Sequence, residues 1–165
     1  MANDNKIQEF KQREYKKISG NKKAFHDYAI ISKYEAGIML VGTEVKSLRE
    51  GKCNLQDSYC YFPSKDKDEL VVDGIHISPF EQGNRYNHEA KRPRKLLLNK
   101  RELVRLRNAV NEKGMTIVPL EIYFSGHLVK LEIALVKPKK KYDKRETEKT
   151  KSSQKEINRA LSGRY

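Results

Sequence analysis

The sequence predicts a mainly β protein, a small antiparallel barrel or curled sheet of about six strands with helices packed on it and a polar tail behind it. Short runs rich in Ile, Val, Leu and Tyr recur between residues 24 and 137, separated by polar or glycine-containing turns. These runs follow one another instead of alternating with helices, which argues against a doubly wound parallel sheet. Aliphatic residues are sparse in 1–20 and in 138–165. A core of about 115 residues, a common domain size, therefore sits between two ends that cannot fold by burial alone. The division reads as a flexible basic N-terminus over 1–20, a β domain over 21–137 and a basic tail over 138–165.

Each element has a local reason. Residues 24–42, "AFHDYAIISKYEAGIMLVG", read as two strands with a bend at Gly37. "TEVKSLREGK" reads as a short helix capped by Thr43 and ended by Gly51, with Val45 and Leu48 inward. It places Lys46 and Arg49 on one face. "DSYCYFPSKDKDELVVDGIHISPF" is a hairpin about the polar "SKDKDE" turn, "EQGNRYNHEAKRPR" a loop, and "KLLL" a strand. The clearest helix is 99–114: Asn99 caps it, Glu102 completes a capping box, Leu103, Leu106 and Val110 form its stripe, and Gly114 follows its end. "MTIVPLEIYF" and "HLVKLEIALV" flank the turn Ser125-Gly126. In the second arm Val129, Leu131, Ile133 and Leu135 alternate with Lys130, Glu132 and Ala134, the period of a half-buried strand. Pro119 makes the first arm an edge strand or a bulged one.

Thirty-five Lys and Arg oppose 22 Asp and Glu, a net charge of +13. Such an excess repels itself and attracts polyanions, with nucleic acid first and an anionic membrane surface second. No apolar run approaches the ~20 residues of a spanning helix, and the N-terminus has no signal-peptide core. The expectation is a soluble cytoplasmic protein with Cys53 and Cys60 as reduced thiols. His26, His76, His88 and His127 form no metal-ligand or catalytic spacing with each other or with the cysteines, and there is no phosphate-binding glycine loop. The sequence offers no positive case for an enzyme, a metal or a cofactor.

Cations do cluster with stacking and hydrogen-bonding groups. "SGNKKAFHDY" joins Asn21, Lys22, Lys23, His26 and Tyr28, where lysines suit phosphates and the others suit exposed bases. A polar loop entering a strand reads equally well there. "AKRPRKLLLNKRELVRLR" packs Lys91, Arg92, Arg94, Lys95, Lys100 and Arg101 into eleven residues, a density that a polyanion rewards. From Pro138 to Tyr165 ten cations face four anions. No Gly or Pro interrupts that tail between Pro138 and Gly163, and Ile157, Ala160 and Leu161 share a helical face. It reads as disordered alone and helical when bound, with a solubilising tail as the competing reading.

"NKKAFHDY", "EAGIMLVGTEVKSLREGKCNLQDSY", "GNRYNHEAKRPRKLLLNKREL", "KGMTIVPLEIYF" and "KKKYDKRE" occur in this order. Together, over Asn21 to Glu146, they resemble the small protein B family, the SsrA-binding (tmRNA-binding) proteins of bacterial ribosome rescue. The resemblance implies an OB-like antiparallel β-barrel with three helices and no catalytic activity. It implies binding to the tRNA-like domain of tmRNA, as a monomer in a one-to-one complex, the protein replacing the missing anticodon arm. It further implies entry into stalled ribosomes with alanine-charged tmRNA, with alanyl-tRNA synthetase and elongation factor Tu as indirect partners. Nascent chains are then tagged for degradation. Carried over by motif, Asn21, His26, Tyr28, Glu35, Lys95, Leu97 and Asn99 lie on the tmRNA face. Lys22, Lys23, Lys46 and Arg94 join them as neighbouring cations. A carboxylate at Glu35 would need a base amino group or a 2′-hydroxyl as donor. In the tail, Lys139, Lys140, Tyr142, Asp143, Lys144 and Arg145 would meet 16S rRNA at the decoding centre, and later residues would form a helix in the empty mRNA channel. Pro138 stands where the family usually has glycine, and Glu121 where it often has lysine. The alternatives are a generic basic ribosomal or RNA-chaperone protein, and an RNA-processing enzyme.

Overall fold

The computed structural model describes residues 15–112 and 114–163. In chain order it contains β1 (Tyr15–Gly20), α1 (Lys22–Asp27), β2 (Tyr28–Ile38), α2 (Gly42–Arg49), β3 (Cys53–Asn54), β4 (Tyr59–Tyr61), β5 (Leu70–Asp73) and β6 (His76–Ile77). A 3-10 segment (Glu81–Tyr86) leads to β7 (Arg94–Leu97), α3 (Lys100–Asn111), β8 (Thr116–Ser125), β9 (Leu128–Pro138) and α4 (Lys141–Ser162). The main sheet runs β1-β8-β4-β5-β7-β2-β9, every pairing is antiparallel, and β9 also pairs with β8. Six strands thus trace a ring, with β4 and β8 joined by the single pair Cys60–Ile117 and β1 added outside. The mainly β, OB-like class expected from the sequence is the class observed.

The ring's interior is aliphatic. Leu70, Val72, Ile75, Ile77, Leu96, Ile117, Ile122, Leu131 and Ile133 are buried together, with Leu48 from α2 and Leu103 and Leu106 from α3 packed into the same cluster. Each of these helices is held by one apolar stripe, as amphipathic helices are. On the outer side a smaller cluster of Ala24, Val118, Leu120, Ala134 and Val136 lies beneath α1. β9 is therefore half-buried only in its first part, since Ala134 and Val136 point outward but are covered.

Several elements differ from expectation for identifiable reasons. Residues 22–27 are a helix, not a strand, because Asn21 caps them: its side-chain Oδ1 accepts from the Ala24 N–H at 3.1 Å. Gly37 does not break β2. It pairs with Lys130 on one side and Leu97 on the other, and a Cβ there would meet the Leu97 Cβ at 3.3 Å. Thr43 does not cap α2; the Val41 N–H instead donates to Glu44 Oε2 at 2.9 Å, while Thr43 meets His88 Nδ1 at 2.9 Å. Pro119 takes the second of the two settings read for it, a bulge inside a paired strand, where β8 shifts register between Pro119 and Glu121. β1 (Tyr15–Gly20) pairs with β8, so part of the segment ahead of 21 joins the main sheet. Residues 1–14 lie outside the described residues. α3 forms with the start read for it, the Asn99 N–H donating to the Glu102 carboxylate at 3.2 Å, but it ends at Asn111, short of Gly114.

No helix among the described residues is long and apolar enough to cross a membrane. The 22 residues of α4 extend about 33 Å at 1.5 Å per residue. Its Ile157 and Leu161 are 51% and 62% exposed, so the apolar stripe of the tail helix is uncovered.

Candidate nucleic-acid interface

Side chains on β9 alternate faces, so Lys130, Glu132, Ala134 and Val136 share the outer side of the β8–β9–β2 ribbon. α1 lies over the Ala134–Val136 end of that side. Glu35 lies farther along it, cross-strand from Glu132. One outer surface thus carries both sets of residues that the sequence nominated in α1 and β2.

α1 forms its basic end. Lys22 and Lys23 are exposed, and Lys23 Nζ lies 2.6 Å from Asp57 Oδ1, a contact that holds its ammonium pKa above the usual value. Tyr28 is half-buried at the edge of the outer apolar cluster. His26 sits between two carboxylates, with Nδ1 2.9 Å from Asp27 Oδ1 and Nε2 2.9 Å from Glu148 Oε1. Hydrogen bonds to Asp27 and then Glu148 raise its pKa above the ordinary imidazole value. Asp27 is correspondingly lowered, by His26 and then by Lys144. Lys144 Nζ lies 3.3 Å from Asp27 Oδ1.

The tail is rooted on the same helix. The Lys139 N–H donates to the Asp27 carbonyl at 2.9 Å and Lys139 Nζ donates to the Phe25 carbonyl at 3.1 Å. Pro138 is the last residue of β9, opposite Tyr28. Whatever bends here, the chain is gripped on both sides of the proline. Lys140, Asp143 and Arg145 are exposed around the first turn of α4, while the Tyr142 side chain lies outside the described part of the structure.

A second patch lies across β2 and β7. Lys95 and Leu97 are exposed and Leu97 packs over Gly37, two residues from Glu35. Lys95 Nζ is 3.1 Å from Glu69, and Asn99 is exposed at the start of α3. Met39 and Val41, 52% and 47% exposed, extend the apolar part of this patch. Sequence reasoning passed over both because strand alternation alone does not say which of two apolar neighbours faces out at a strand's end. Glu35 already has donors: the Tyr123 hydroxyl hydrogen-bonds to it and Lys130 Nζ lies 3.8 Å away. Burial, then the Glu35 contact, pushes the Tyr123 hydroxyl pKa up. Lys46 is apart, on α2, with its ammonium 5.3 Å from the centroid of the Phe80 ring.

Two nominated residues are not surface contacts. Arg94 is 1% exposed: its guanidinium donates to Glu44 and to the carbonyls of Ile75, Arg92 and Ala90. Asn21 is 6% exposed, and its Nδ2 donates to the carbonyls of Pro119 at 3.0 Å and Leu55 at 3.3 Å. Both hold the fold that presents their neighbours. Burial without a partner is costly for such groups, and here each donor has one. Among the described residues no group of three His, Cys, Asp or Glu is arranged to hold a metal ion.

The arrangement is an exposed cationic and aromatic surface adjoining a long basic helix. Such a surface grips phosphates and stacks bases. The family model described as "SmpB protein" matches residues 18–163. The SsrA-binding protein of Carboxydothermus hydrogenoformans is 54% identical over 148 residues, 90% of this chain and 97% of its own length. That of Geobacillus thermodenitrificans is 51% identical, covering 92% and 96%. A solved structure described as "tmRNA-SmpB: a journey to the center of the bacterial ribosome" contains a chain 45% identical to this one, with a TM-score of 0.62 over 74% of this chain and 85% of that chain. By this match through barrel and tail helix alike, the chain belongs to the SmpB protein family.

Proposed function

We propose that the chain is a non-enzymatic tmRNA-binding protein of trans-translation, working in the cytoplasm. It binds the tRNA-like domain of tmRNA and brings it to ribosomes stalled on truncated messages. The single observation that carries the reading is the extent of the family match, which runs from residue 18 to residue 163 and so includes the tail helix. The geometry supports it: α1 carries Lys22, Lys23, His26 and Tyr28 and also anchors the root of α4 through Lys139. An RNA face and an arm meet at one short helix. Lys95, Leu97, Asn99 and Glu35 serve as a second contact with the RNA, and Lys46 as an outlying phosphate contact. Lys140, Tyr142, Asp143, Lys144 and Arg145 meet ribosomal RNA at the decoding centre, and the rest of α4 enters the empty mRNA channel. Elongation factor Tu and alanyl-tRNA synthetase act on the same RNA and are indirect partners.

The test is to recover the full-length protein from its native cell and sequence the RNA bound to it. A dominant tmRNA is expected. A spread of unrelated RNAs would replace this reading with a general RNA chaperone.

A further inference from the structure

We propose that the docked tail is an autoinhibitory contact: through Lys144 and Glu148, α4 occupies the charged groups of α1, and bound tmRNA displaces it there and frees the arm. The proposal rests on the reading of the chain as a tmRNA-binding protein.

The tail meets α1 in two ways. Its root is tied by Lys139, whose backbone N–H and ammonium donate to the carbonyls of Asp27 and Phe25. These bonds sit directly after the last residue of β9 and need nothing from the rest of the helix. Beyond the root, Lys144 Nζ lies 3.3 Å from Asp27 Oδ1, and Glu148 Oε1 lies 2.9 Å from His26 Nε2. Lys144 and Glu148 are four residues apart in α4, so they project from one face of it. Asp27 and His26 are neighbours on α1. The charges therefore match in pairs, a cation on a carboxylate and a carboxylate on an imidazole.

These contacts consume groups that both RNA partners need. The carboxylates of Asp27 and Glu148 favour the doubly protonated His26 ring. Both of its N–H donors are then spent, Nδ1 on Asp27 and Nε2 on Glu148, and none remains for a phosphate. Lys144 is likewise committed while it sits on Asp27. One docked face thus withholds a residue assigned to tmRNA and a residue assigned to ribosomal RNA.

The contact is weak enough to yield. The side chains of His26 and Glu148 are 38% and 62% exposed, and ion pairs so open to water are screened. A phosphate arriving at His26 takes over the Nε2 hydrogen bond and repels the Glu148 carboxylate. RNA and Glu148 claim the same donor, so each weakens the other's binding by the same factor. The empty protein carries its arm folded on the barrel, and loading with RNA deploys it. Deleting the tail does not isolate this effect, because it removes the masking carboxylate together with ten cations that attract RNA. The two act in opposite directions, so the full chain is the test.

The experiment uses the full-length protein with a donor dye on the barrel and an acceptor on α4, titrated with a transcript of the tRNA-like domain of tmRNA. It is run at about pH 6, below the ordinary imidazole value. Energy transfer in the wild type is expected to fall as the transcript saturates the protein. Glu148→Ala should start with lower transfer and change less. Glu156→Ala is the control: Glu156 is exposed farther along α4, outside the contacts with α1, and its loss changes the charge equally. Glu148→Ala should bind the transcript about two- to fivefold more tightly than Glu156→Ala, the scale of an exposed ion pair. Wild-type energy transfer that stays constant at saturation refutes the autoinhibition and leaves tmRNA binding standing. Equal affinities of the two variants refute it as well, since charge alone then accounts for any gain. If the wild type does not bind the transcript, the functional reading falls and the autoinhibition with it.

Discussion

Glu44 and Arg94 form an ion pair with neither side chain exposed, Arg94 Nε donating to Glu44 Oε1 at 2.8 Å. Fifty residues separate them in sequence. Arg92 adds bonds to both carboxylate oxygens, at 2.9 and 2.7 Å, and the Val41 N–H adds another. Burial alone would raise the Glu44 pKa, but the hydrogen bonds and charges of Arg92, Val41 and Arg94 outweigh it and hold it below the usual range. The pair ties the start of α2 to the segment that enters β7, and so sets where Lys95 and Leu97 emerge.

Removing Glu44 should strand two guanidinium groups, one of them fully buried. Glu44→Ala is expected to cost about 3–5 kcal/mol of folding stability, the range for breaking a buried pair. Urea unfolding followed by circular dichroism measures it. A change under 1 kcal/mol would show that water reaches the pair.

The grip of the tail on α1 should weaken as pH rises. The His26 pKa is raised in the docked state, so its contribution is complete below the free imidazole value near 6.5 and is lost as pH climbs through the docked value. Asp27, lowered, contributes throughout this window and fails only in acid. The groups facing His26 are Asp27 and Glu148, with Lys144 on Asp27. Energy transfer between dyes on the barrel and on α4 should therefore fall above pH 6.5. Glu148→Gln should flatten that profile; a profile unchanged by the substitution would assign the pH effect elsewhere.

Truncation after Pro138 leaves β9 whole, since Pro138 is its last paired residue. The shortened protein is expected to bind tmRNA nearly as well as the full chain and to fail in tagging peptides on stalled ribosomes. Affinity of both forms should fall steeply with salt, each phosphate contact steepening the logarithmic slope by about 0.7–0.9, the values for single strands and B-form duplexes. Collapse of tmRNA affinity on truncation would make the tail chiefly a clamp on that RNA.

Neither thiol should react in the native state. Burial pushes Cys53 up to about 12 and Cys60, 5% exposed, higher still. The thiolate is the nucleophile, so both should resist iodoacetamide at pH 8 and both should alkylate in denaturant. Mass spectrometry reads the result, and native labelling of Cys60 would mean that the barrel opens.

The sequence by itself determined whatever depends on near neighbours. α3 follows from Asn99, Glu102 and the Leu103–Leu106 stripe, and the β8–β9 hairpin from its two apolar arms about Ser125-Gly126, whereas the tail, free of Gly and Pro from 139 to 162, was read as helical only when bound and forms α4 in the chain alone. Charge, summed over the chain, already pointed to a polyanion. Tertiary structure alone decided which polar residues face solvent. Arg94 and Asn21 sit in polar stretches that look exposed, yet each is drawn inward by partners far along the chain: Glu44 for the first, Leu55 and Pro119 for the second. His26 and Glu148 meet only because β9 pairs with β2 and ends opposite Tyr28, which returns the tail to α1. A side chain's burial is set by what packs against it, and those contacts are made across the ring, where spacing in the sequence carries no record of them.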